Sequence, residues 1–284
     1  MKTIKVGGVP EHFNFPWHVC IEEEKFRDKG INVIWKDFPG GTGAMNNALR
    51  SGEIDVAVIL TEGIIKDIIA GNQSRILQTY IGSPLIWGIH VAAGSEYNSI
   101  GELKGTKAAI SRYGSGSHLM AFVNAERHKW DIKKDLHFEV VNDIDGAVKA
   151  LKENKAQYFM WEHFTTKPLV DNRTFRLVAD CPTPWPCFVI AASEHALKYN
   201  PERLKTMLEV LNEETFYFKT KPDLVNILSD RYNQKPEDIK KWLDVTTWSQ
   251  EQISEADVES AQNKLLELEL IPKKLKYPQL VSDL

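Results

Sequence analysis

The segment TGAMNNALRSGEIDVAVIL, from Thr42 to Leu60, contains a helix, a stop signal and a strand in direct succession. Thr42–Ser51 is predicted to be a helix that ends at Gly52, because glycine readily adopts the backbone conformation that closes helices. Asp55–Leu60 is rich in β-branched residues and predicts a short strand. The same succession recurs in both directions along the chain, which indicates βαβ units and a mostly parallel sheet.

Strands and helices alternate on both sides of this segment. Before it, Lys2–Val9 and Ile31–Phe38 are predicted strands that flank a predicted helix, Pro16–Lys29. A second run of the same kind follows an extended stretch, Trp87–Ala93, and the chain from Pro201 onward is almost entirely helical. We therefore expect an α/β protein with two lobes, each a mostly parallel sheet flanked by helices, and a helical C-terminal tail.

The two runs set the expected domain boundaries. Lobe 1 is expected to comprise residues 1–88 and 189–284, with the C-terminal helices, and lobe 2 residues 89–188. Two extended crossings would join the lobes, and a cleft between them would hold the ligand.

Composition excludes several classes of protein. Lys and Arg total 35 against 39 Asp and Glu, and a net charge of -4 without a basic block gives no electrostatic basis for binding nucleic acid or an anionic membrane. No run approaches the roughly 18 consecutive apolar residues of a membrane-spanning helix. Cys20, Cys181 and Cys187 form no CxxC pair, so neither a disulfide framework nor a zinc site is expected.

The turns that follow the strands are the candidate binding positions. In open parallel sheets ligands bind beyond the carboxyl ends of the strands. Five turns qualify, three in lobe 1 and two in lobe 2, and they are rich in glycine, hydroxyl, aromatic and ionisable residues. The predicted ligand-binding residues are Glu11, His12, Gly41, Thr42, Glu62, Tyr113, Ser115, Gly116, Ser117, Trp161 and Glu162.

Glu62 and Glu162 come from opposite lobes and bear most on the chemistry of the ligand. Two acidic side chains favour a ligand with N–H groups or a positive charge, such as an aminated heterocycle or a zwitterion. Structural roles stay open: Glu62 could complement a helix dipole, and Glu162 could be a solvated or ion-paired loop residue. Acid–base catalysis by the two carboxylates is a further alternative.

The Gly114–Ser117 turn, GSGS, opens a predicted helix. Backbone N–H groups at this point favour an anion or a hydrogen-bond acceptor, while Ser115 or Ser117 could equally be an ordinary N-cap. Neither glycine-rich turn contains GK[ST] or GxGxxG, so nucleotide phosphate binding is not expected.

No cofactor, metal ion or catalytic residue is predicted. His12, His118 and His163 lack the HxxxH or HxH spacing of metal sites. Ser115 and Ser117 lack the GxSxG elbow of serine hydrolases, and no lysine lies in the five turns to form a Schiff base. The pattern favours a binding protein over an enzyme.

Several motifs resemble those of a known family. Gly40-Gly41-Thr42 and GEIDVA, Gly52–Ala57, resemble the GG(T/S) and GE(I/V)D(V/I)A motifs of type 2 periplasmic-binding-protein-like proteins. Ile100–Lys107 followed by Gly114–Ser117 resembles the second-lobe pattern of the same family. The nearest branch is the group that binds nitrate, sulfonates and thiamine-pyrimidine precursors, and the resemblance covers the first two thirds of the chain.

Two further stretches, Pro10–Phe13 and Met160–Pro168, look like a leaderless subgroup of this family. The resemblance implies a solute-binding protein that closes on a small polar or heterocyclic metabolite, aminopyrimidine-like or zwitterionic, without catalysis. Related thiamine-pyrimidine synthases are enzymes with a pyridoxal-phosphate lysine and a cysteine-rich motif, and the chain has no such cysteine cluster. An enzyme on the same scaffold and the substrate-binding subunit of an ABC importer stay open as alternative functions.

The start of the chain bears on its location. Met1-Lys2-Thr3 runs directly into the alternating Ile4-Lys5-Val6, with no basic segment, apolar run and cleavage site before it. We therefore expect a cytoplasmic protein, or a periplasmic one if a leader has been removed. In the second case an ABC permease would be its partner, and in both cases the expected ligand is a small molecule.

Overall fold

The computed structural model describes residues 3–284, so the expected start of the first strand at Lys2 lies outside the described residues. The chain divides into two compact units. Unit 1 comprises the residues up to Pro84 together with Pro184–Leu284, and unit 2 is the continuous segment Leu85–Thr183. Each unit is built around its own five-stranded sheet.

Ten strands form the two sheets within residues 3–284. In chain order they are β1 (Thr3–Gly8), β2 (Asn32–Asp37), β3 (Val56–Leu60), β4 (Ser74–Ile81), β5 (Ile86–Ala92), β6 (Lys107–Ile110), β7 (His137–Val140), β8 (Tyr158–Glu162), β9 (Phe175–Pro182) and β10 (Phe188–Ser193).

The two sheets share one strand order. It is β2-β1-β3-β10-β4 in unit 1 and β7-β6-β8-β5-β9 in unit 2. In unit 1, β1 runs parallel to β2 and β3, whereas β10 is antiparallel to both of its neighbours. In unit 2, β6 runs parallel to β7 and β8, whereas β5 is antiparallel to both of its neighbours. The prediction of two mostly parallel α/β sheets is confirmed. Each antiparallel strand follows a short connecting segment rather than a crossover helix, so the βαβ geometry does not apply to it.

Helices flank both sheets. Within the part of the chain that the structure describes they are α1 (Phe15–Glu22), α2 (Lys25–Asp28), α3 (Gly41–Ser51), α4 (Thr61–Ile69), α5 (Gly116–Arg127), α6 (Ile132–Asp135), α7 (Ile144–Lys152), α8 (Lys167–Asp171), α9 (Glu194–Tyr199), α10 (Pro201–Tyr217), α11 (Leu224–Tyr232), α12 (Pro236–Val245), α13 (Glu255–Glu267) and α14 (Tyr277–Leu280). The helical C-terminal segment is confirmed, and it belongs to unit 1. Within residues 3–284, none of the helices combines the length and the hydrophobicity of a membrane-spanning segment.

One predicted helix is divided in two. Pro16–Lys29 was expected to be continuous, but α1 ends at Glu22 and α2 begins at Lys25. Glu24, between them, has φ 56°, a left-handed conformation that an α-helix cannot contain. The break lets Phe26 of α2 turn into the core, where it is 2% exposed.

The central strands are apolar along their whole length because both faces of each sheet are covered. In β3, Val56, Ala57, Val58 and Ile59 are fully buried. In unit 2, Phe159 of β8 and Phe175 of β9 are buried in a cluster that also includes residues of α7. Such two-sided burial is characteristic of parallel strands between helices, and it holds the strand ends in fixed positions.

Candidate functional site

The turns after the parallel strands gather at one edge of each sheet. Since β1, β2 and β3 are parallel, Glu11, His12, Gly41, Thr42 and Glu62 all follow strand ends at the same edge of the unit 1 sheet. Since β6 and β8 are parallel, the turn before α5 and the end of β8 lie at the same edge of the unit 2 sheet. The structure therefore groups the predicted residues into two sets, five in unit 1 and six in unit 2.

Glu62 is a buried carboxyl group at the start of a helix. It is the second residue of α4 and only 3% of its surface is exposed. Its Oε2 accepts a hydrogen bond of 2.8 Å from Nε1 of Trp185, while its Oε1 has no partner among the described residues. Burial raises the pKa of Glu62 to about 7, although its own backbone N–H and the Trp185 indole act in the opposite direction.

The loop that carries Trp185 wraps the start of α4. Thr61 Oγ1 donates to the carbonyl of Pro186 over 2.6 Å, and the Thr61 N–H donates to the carbonyl of Cys187 over 3.1 Å. These contacts follow from the antiparallel pairing of β10 with β3, which brings the residues before Phe188 beside the end of β3. Trp185 is not among the ligand-binding residues predicted from the sequence. The only local signal is a tryptophan between two prolines, Pro184-Trp185-Pro186, just before a predicted extended segment.

Thr42 lies against the same helix. A Cβ atom added to Gly63 would overlap the Thr42 methyl group, so α3 and α4 approach closely at their N-terminal ends. The contact is reinforced by Asn46, whose Nδ2 donates to the Gly63 carbonyl over 3.3 Å. Gly41, the first residue of α3, has φ 64°, which favours glycine. Gly41 and Thr42 are half-buried in this arrangement.

His12 is buried, although it lies in the turn after β1. It starts a short 3₁₀ helix after Glu11, it is 1% exposed, and its ring lies 4.0 Å from that of Trp242 in α12. Burial lowers its pKa to about 3, partly offset by the nearby Gln234 side chain, so the ring is neutral at ordinary pH. Neither ring nitrogen has a hydrogen-bond partner among residues 3–284.

The serine turn of unit 2 is a closed hydroxyl network. Ser115 is the N-cap of α5 and accepts from the His118 N–H over 3.3 Å, as the structural alternative anticipated. The Ser115 and Ser117 hydroxyls lie 3.1 Å apart, and Ser117 Oγ accepts from the Ser111 N–H over 3.0 Å. Ser111 had not been identified from the sequence. Gly116 is the first residue of α5.

Tyr113, in the same turn, is the most exposed of the predicted residues. Its exposed fraction is 66%, and its ring packs edge-on against that of His118 with centroids 5.3 Å apart. A large aromatic ring that is held at one edge and open to solvent elsewhere is available for stacking on a planar ligand.

Glu162 is the second buried carboxyl group. It ends β8 and is 5% exposed, and its Oε2 accepts from the backbone N–H and the hydroxyl of Thr165 over 2.6 and 2.8 Å. Burial raises the pKa of Glu162, and the two Thr165 bonds oppose the rise. It is therefore not a solvated loop residue. Thr165, which is not among the residues predicted from the sequence, also belongs to this site.

Trp161 precedes Glu162 and is half-buried. Its ring stacks on Phe159 at 5.3 Å and meets the Trp87 ring edge-on at 6.2 Å. Trp87 lies directly opposite Glu162 in the antiparallel pairing of β5 with β8. Unit 2 thus places an aromatic pair next to a buried hydrogen-bond acceptor, an arrangement suited to a planar polar ligand.

The two carboxyl groups share an unusual electrostatic setting. Neither Glu62 nor Glu162 forms an ion pair with a lysine or arginine within residues 3–284. The same described residues contain no group of three or more His, Cys, Asp or Glu side chains that could hold a metal ion. Cys20, Cys181 and Cys187 are buried free thiols. Chemically, each unit offers a carboxyl acceptor and hydroxyl groups at the edge where its strands end.

Comparison with known proteins agrees with the architecture. Residues 87–181 match a family model described as Ca3427-like PBP. A search of curated protein sequences gave no match. Among solved structures, the Candida albicans CA3427 gene product, described as having the generic periplasmic binding protein fold, is 25% identical with a TM-score of 0.87, over 97% of this chain and 92% of that one.

Two bacterial solute-binding proteins are similar over nearly the whole chain. The alkanesulfonate-binding protein SsuA from Xanthomonas axonopodis pv. citri, bound to MOPS, has 14% identity and a TM-score of 0.82 over 98% of this chain and 97% of that one. The nitrate-binding protein NrtA from Synechocystis PCC 6803 has 16% identity and a TM-score of 0.70 over 95% and 82%. The chain as a whole therefore has the fold of periplasmic binding proteins, as the resemblance of its sequence motifs predicted.

Proposed function

We propose that the chain is a solute-binding protein that binds a small polar or heterocyclic metabolite, aminopyrimidine-like or zwitterionic, and releases it chemically unchanged. The observation that carries this proposal is the similarity in fold to the binding proteins SsuA and NrtA along nearly the full length of the chain. The proposed contacts are the five predicted residues of unit 1 and the six of unit 2.

The buried carboxyl groups support the choice of ligand class. SsuA and NrtA are named for anions, a sulfonate and nitrate. An anion beside Glu62 or Glu162 would be repelled by the ionised carboxylate, whereas an N–H or ammonium group would find an acceptor there. The N-terminus of α5, with Ser115 and Ser117, would suit the carboxylate of a zwitterion. The set of groups thus favours a ligand with N–H donors over a simple anion.

A thermal-shift screen tests the proposal directly. The compounds are aminopyrimidines and zwitterionic amino acids, with ethanesulfonate and nitrate as the anionic comparison. A ligand present at about 100 times its Kd should stabilise the protein by roughly 2.7 kcal/mol. No stabilisation by any of these compounds would contradict the proposal.

Two variants test the site once a compound binds. Glu162→Ala and Ser115→Ala should each weaken its affinity about tenfold or more, because each removes a polar contact. Ser254→Ala is the matched control for the serine, since Ser254 caps α13 in the same way but lies outside the predicted set. Glu214→Gln is the control for the buried carboxyl group. Unchanged affinity in both site variants would show that the proposed site is wrong.

Recovery of the bound compound after incubation with the protein tests whether the protein catalyses a reaction on it. After prolonged incubation with the protein, the bound compound should be recovered intact and quantitatively, as judged by mass spectrometry. A chemically altered compound would favour the alternative in which Glu62 or Glu162 acts as a base on the same scaffold.

Delivery of the solute to an ABC permease is a second candidate role. It is favoured by similarity to the ligand-binding component of an ABC-type import system from Staphylococcus aureus, with a TM-score of 0.77 and 15% identity. We propose a cytoplasmic location as the first option and this periplasmic role as the second. Fractionation of cells that express the chromosomal gene with a C-terminal tag distinguishes them, since only an exported protein can meet a permease from outside.

A further inference from the structure

The two oxygens of the Glu62 carboxyl group are unequal. Oε2 is fixed by the Trp185 indole N–H at 2.8 Å, while Oε1 is buried and has no partner among the described residues. A buried acceptor without a hydrogen bond costs about 1–3 kcal/mol. Because Oε2 is held in place and Oε1 lacks a partner among the described residues, the Glu62 carboxyl group is arranged to accept a hydrogen bond from a ligand.

Within residues 3–284, no group donates a hydrogen bond to Glu62 Oε1. Helix α4 packs against α3, β3, β10 and α13. On α3, Arg50 is paired with Asp67, more than a turn along α4 from Glu62. The strands β3 and β10 contain no charged residue, and the residues that α13 buries are uncharged, namely Val258, Ala261, Gln262 and Leu265. Lys66 lies four residues after Glu62 on α4, and Glu62 Oε1 has no hydrogen-bond partner among the described residues.

We propose that Glu62 Oε1 accepts a hydrogen bond from an N–H or cationic group of the ligand, that Trp185 holds the carboxyl group in place for this contact, and that ligand binding is coupled to loss of a proton from Glu62. This inference rests on the proposed function and names the residue that selects the ligand class. Trp185 acts as a positioning residue.

The direction of the proton exchange follows from the free protein. The pKa of Glu62 is about 7, above the ordinary 4.5, so a large fraction of the carboxyl groups are protonated at neutral pH. A donor at Oε1 stabilises the ionised form and lowers the pKa in the complex. Binding therefore releases a proton, and the affinity should fall by up to about tenfold for each pH unit below 7.

Calorimetry with defined probes measures this exchange. The probes are cytosine and guanidinium, which do not titrate between about pH 6 and pH 8, and the comparison compounds are ethanesulfonate and nitrate. Titrations of the full chain in buffers with different ionisation enthalpies should show release that approaches one proton per bound probe at about pH 6. Proton uptake, or binding of the anions alone, would overturn the inference.

Variants separate the role of Glu62 from a merely structural one. Glu62→Gln should bind the probes at least about tenfold more weakly at pH 8 and show no change in affinity between pH 6 and pH 8. Trp185→Phe removes the indole N–H but keeps a buried ring, so this variant should still bind the probes. The pH at which its affinity is half-maximal should be higher than in wild type, because the carboxylate has lost a hydrogen-bond donor. A structural defect alone would leave that midpoint in place.

The two possible failures are distinguishable. If the probes bind wild type and Glu62→Gln with the same affinity at every pH, the inference is wrong and the solute-binding function stands. If neither the probes nor the anions bind the wild-type protein at all, the proposed function fails, and the inference with it.

Discussion

Glu62, at the start of α4, and Glu162, at the end of β8, are buried carboxyl groups without a lysine or arginine partner among residues 3–284. Burial of an acid without a cation is unfavourable, so such groups concentrate where a ligand or a reaction uses them. Glu214 shows the structural contrast, since it is equally buried but lies 2.6 Å from Lys25 and 3.2 Å from Lys221.

The raised pKa of Glu62 predicts how stability depends on pH. A carboxyl group with a folded-state pKa of about 7 and an ordinary value of 4.5 contributes stability that is present below 4.5 and is lost as the pH rises through 7. Glu62→Gln lacks this loss. Relative to wild type, its free energy of unfolding should rise by about 3 kcal/mol between pH 4.5 and pH 8.

Urea denaturation at several pH values measures the difference. Glu214→Gln serves as the control, because it replaces an equally buried carboxyl group that has lysine partners. Parallel pH profiles for Glu62→Gln and wild type would show that Glu62 titrates in the folded protein as it does in an unfolded chain.

At the scale of helices and strands, sequence patterns correctly predicted the features that depend on neighbouring residues. The helix after Thr42, its end at Gly52 and the strand that closes at Leu60 were all evident in the sequence, and Gly52 has φ 72° as a helix-ending glycine should. The break at Glu24 was not predictable, because the left-handed conformation there serves the burial of Phe26.

The site shows the same division. The strand-end turns were identifiable from spacing, but the bond between Glu62 and Trp185 joins residues 123 positions apart. It depends on β10 entering the sheet antiparallel beside β3, a register that no local pattern specifies. Thr165 was not predicted because only the folded turn after β8 brings its N–H and hydroxyl to the Glu162 carboxylate.

The contact between α3 and α4 gives a prediction at this scale. Gly63→Ala should destabilise the protein by about 1–3 kcal/mol, because its methyl group would overlap that of Thr42. Adding Thr42→Ser removes the obstructing methyl and should recover most of the loss. Thermal unfolding of the two single variants and the double variant provides the cycle. Equal losses with and without Thr42→Ser would place the strain elsewhere.

At the scale of the whole molecule, unit 2 consists of one continuous segment of the chain, whereas unit 1 consists of two. Unit 2 is continuous, and its ends meet: Leu85 and Thr183 are joined by two hydrogen bonds of 3.0 Å. Unit 1 is interrupted, because β10 follows unit 2 in sequence yet lies between β3 and β4.

This difference predicts that the segment forming unit 2 folds on its own, whereas the first segment of unit 1 does not. Residues 85–183 expressed alone should fold, since all five strands of their sheet are present. Residues 1–84 alone should not, since without β10 the strand β4 has no partner in the sheet. Amide dispersion in NMR spectra and the cooperativity of thermal unfolding report on both fragments. A disordered 85–183 fragment would refute the prediction.

The position of β10 also sets an order of events at the ribosome. A nascent chain can complete the sheet of unit 2 as soon as Thr183 has left the exit tunnel. The strand β4 is synthesised earlier, but it stays unpaired until residues 188–193 emerge and insert beside it. During that interval the open flank of β3 and the edges of β4 are exposed to other polypeptides in the cell. The sheet of unit 1 is thus begun before that of unit 2 and completed after it, and slow translation before β10 should increase aggregation of the newly made protein.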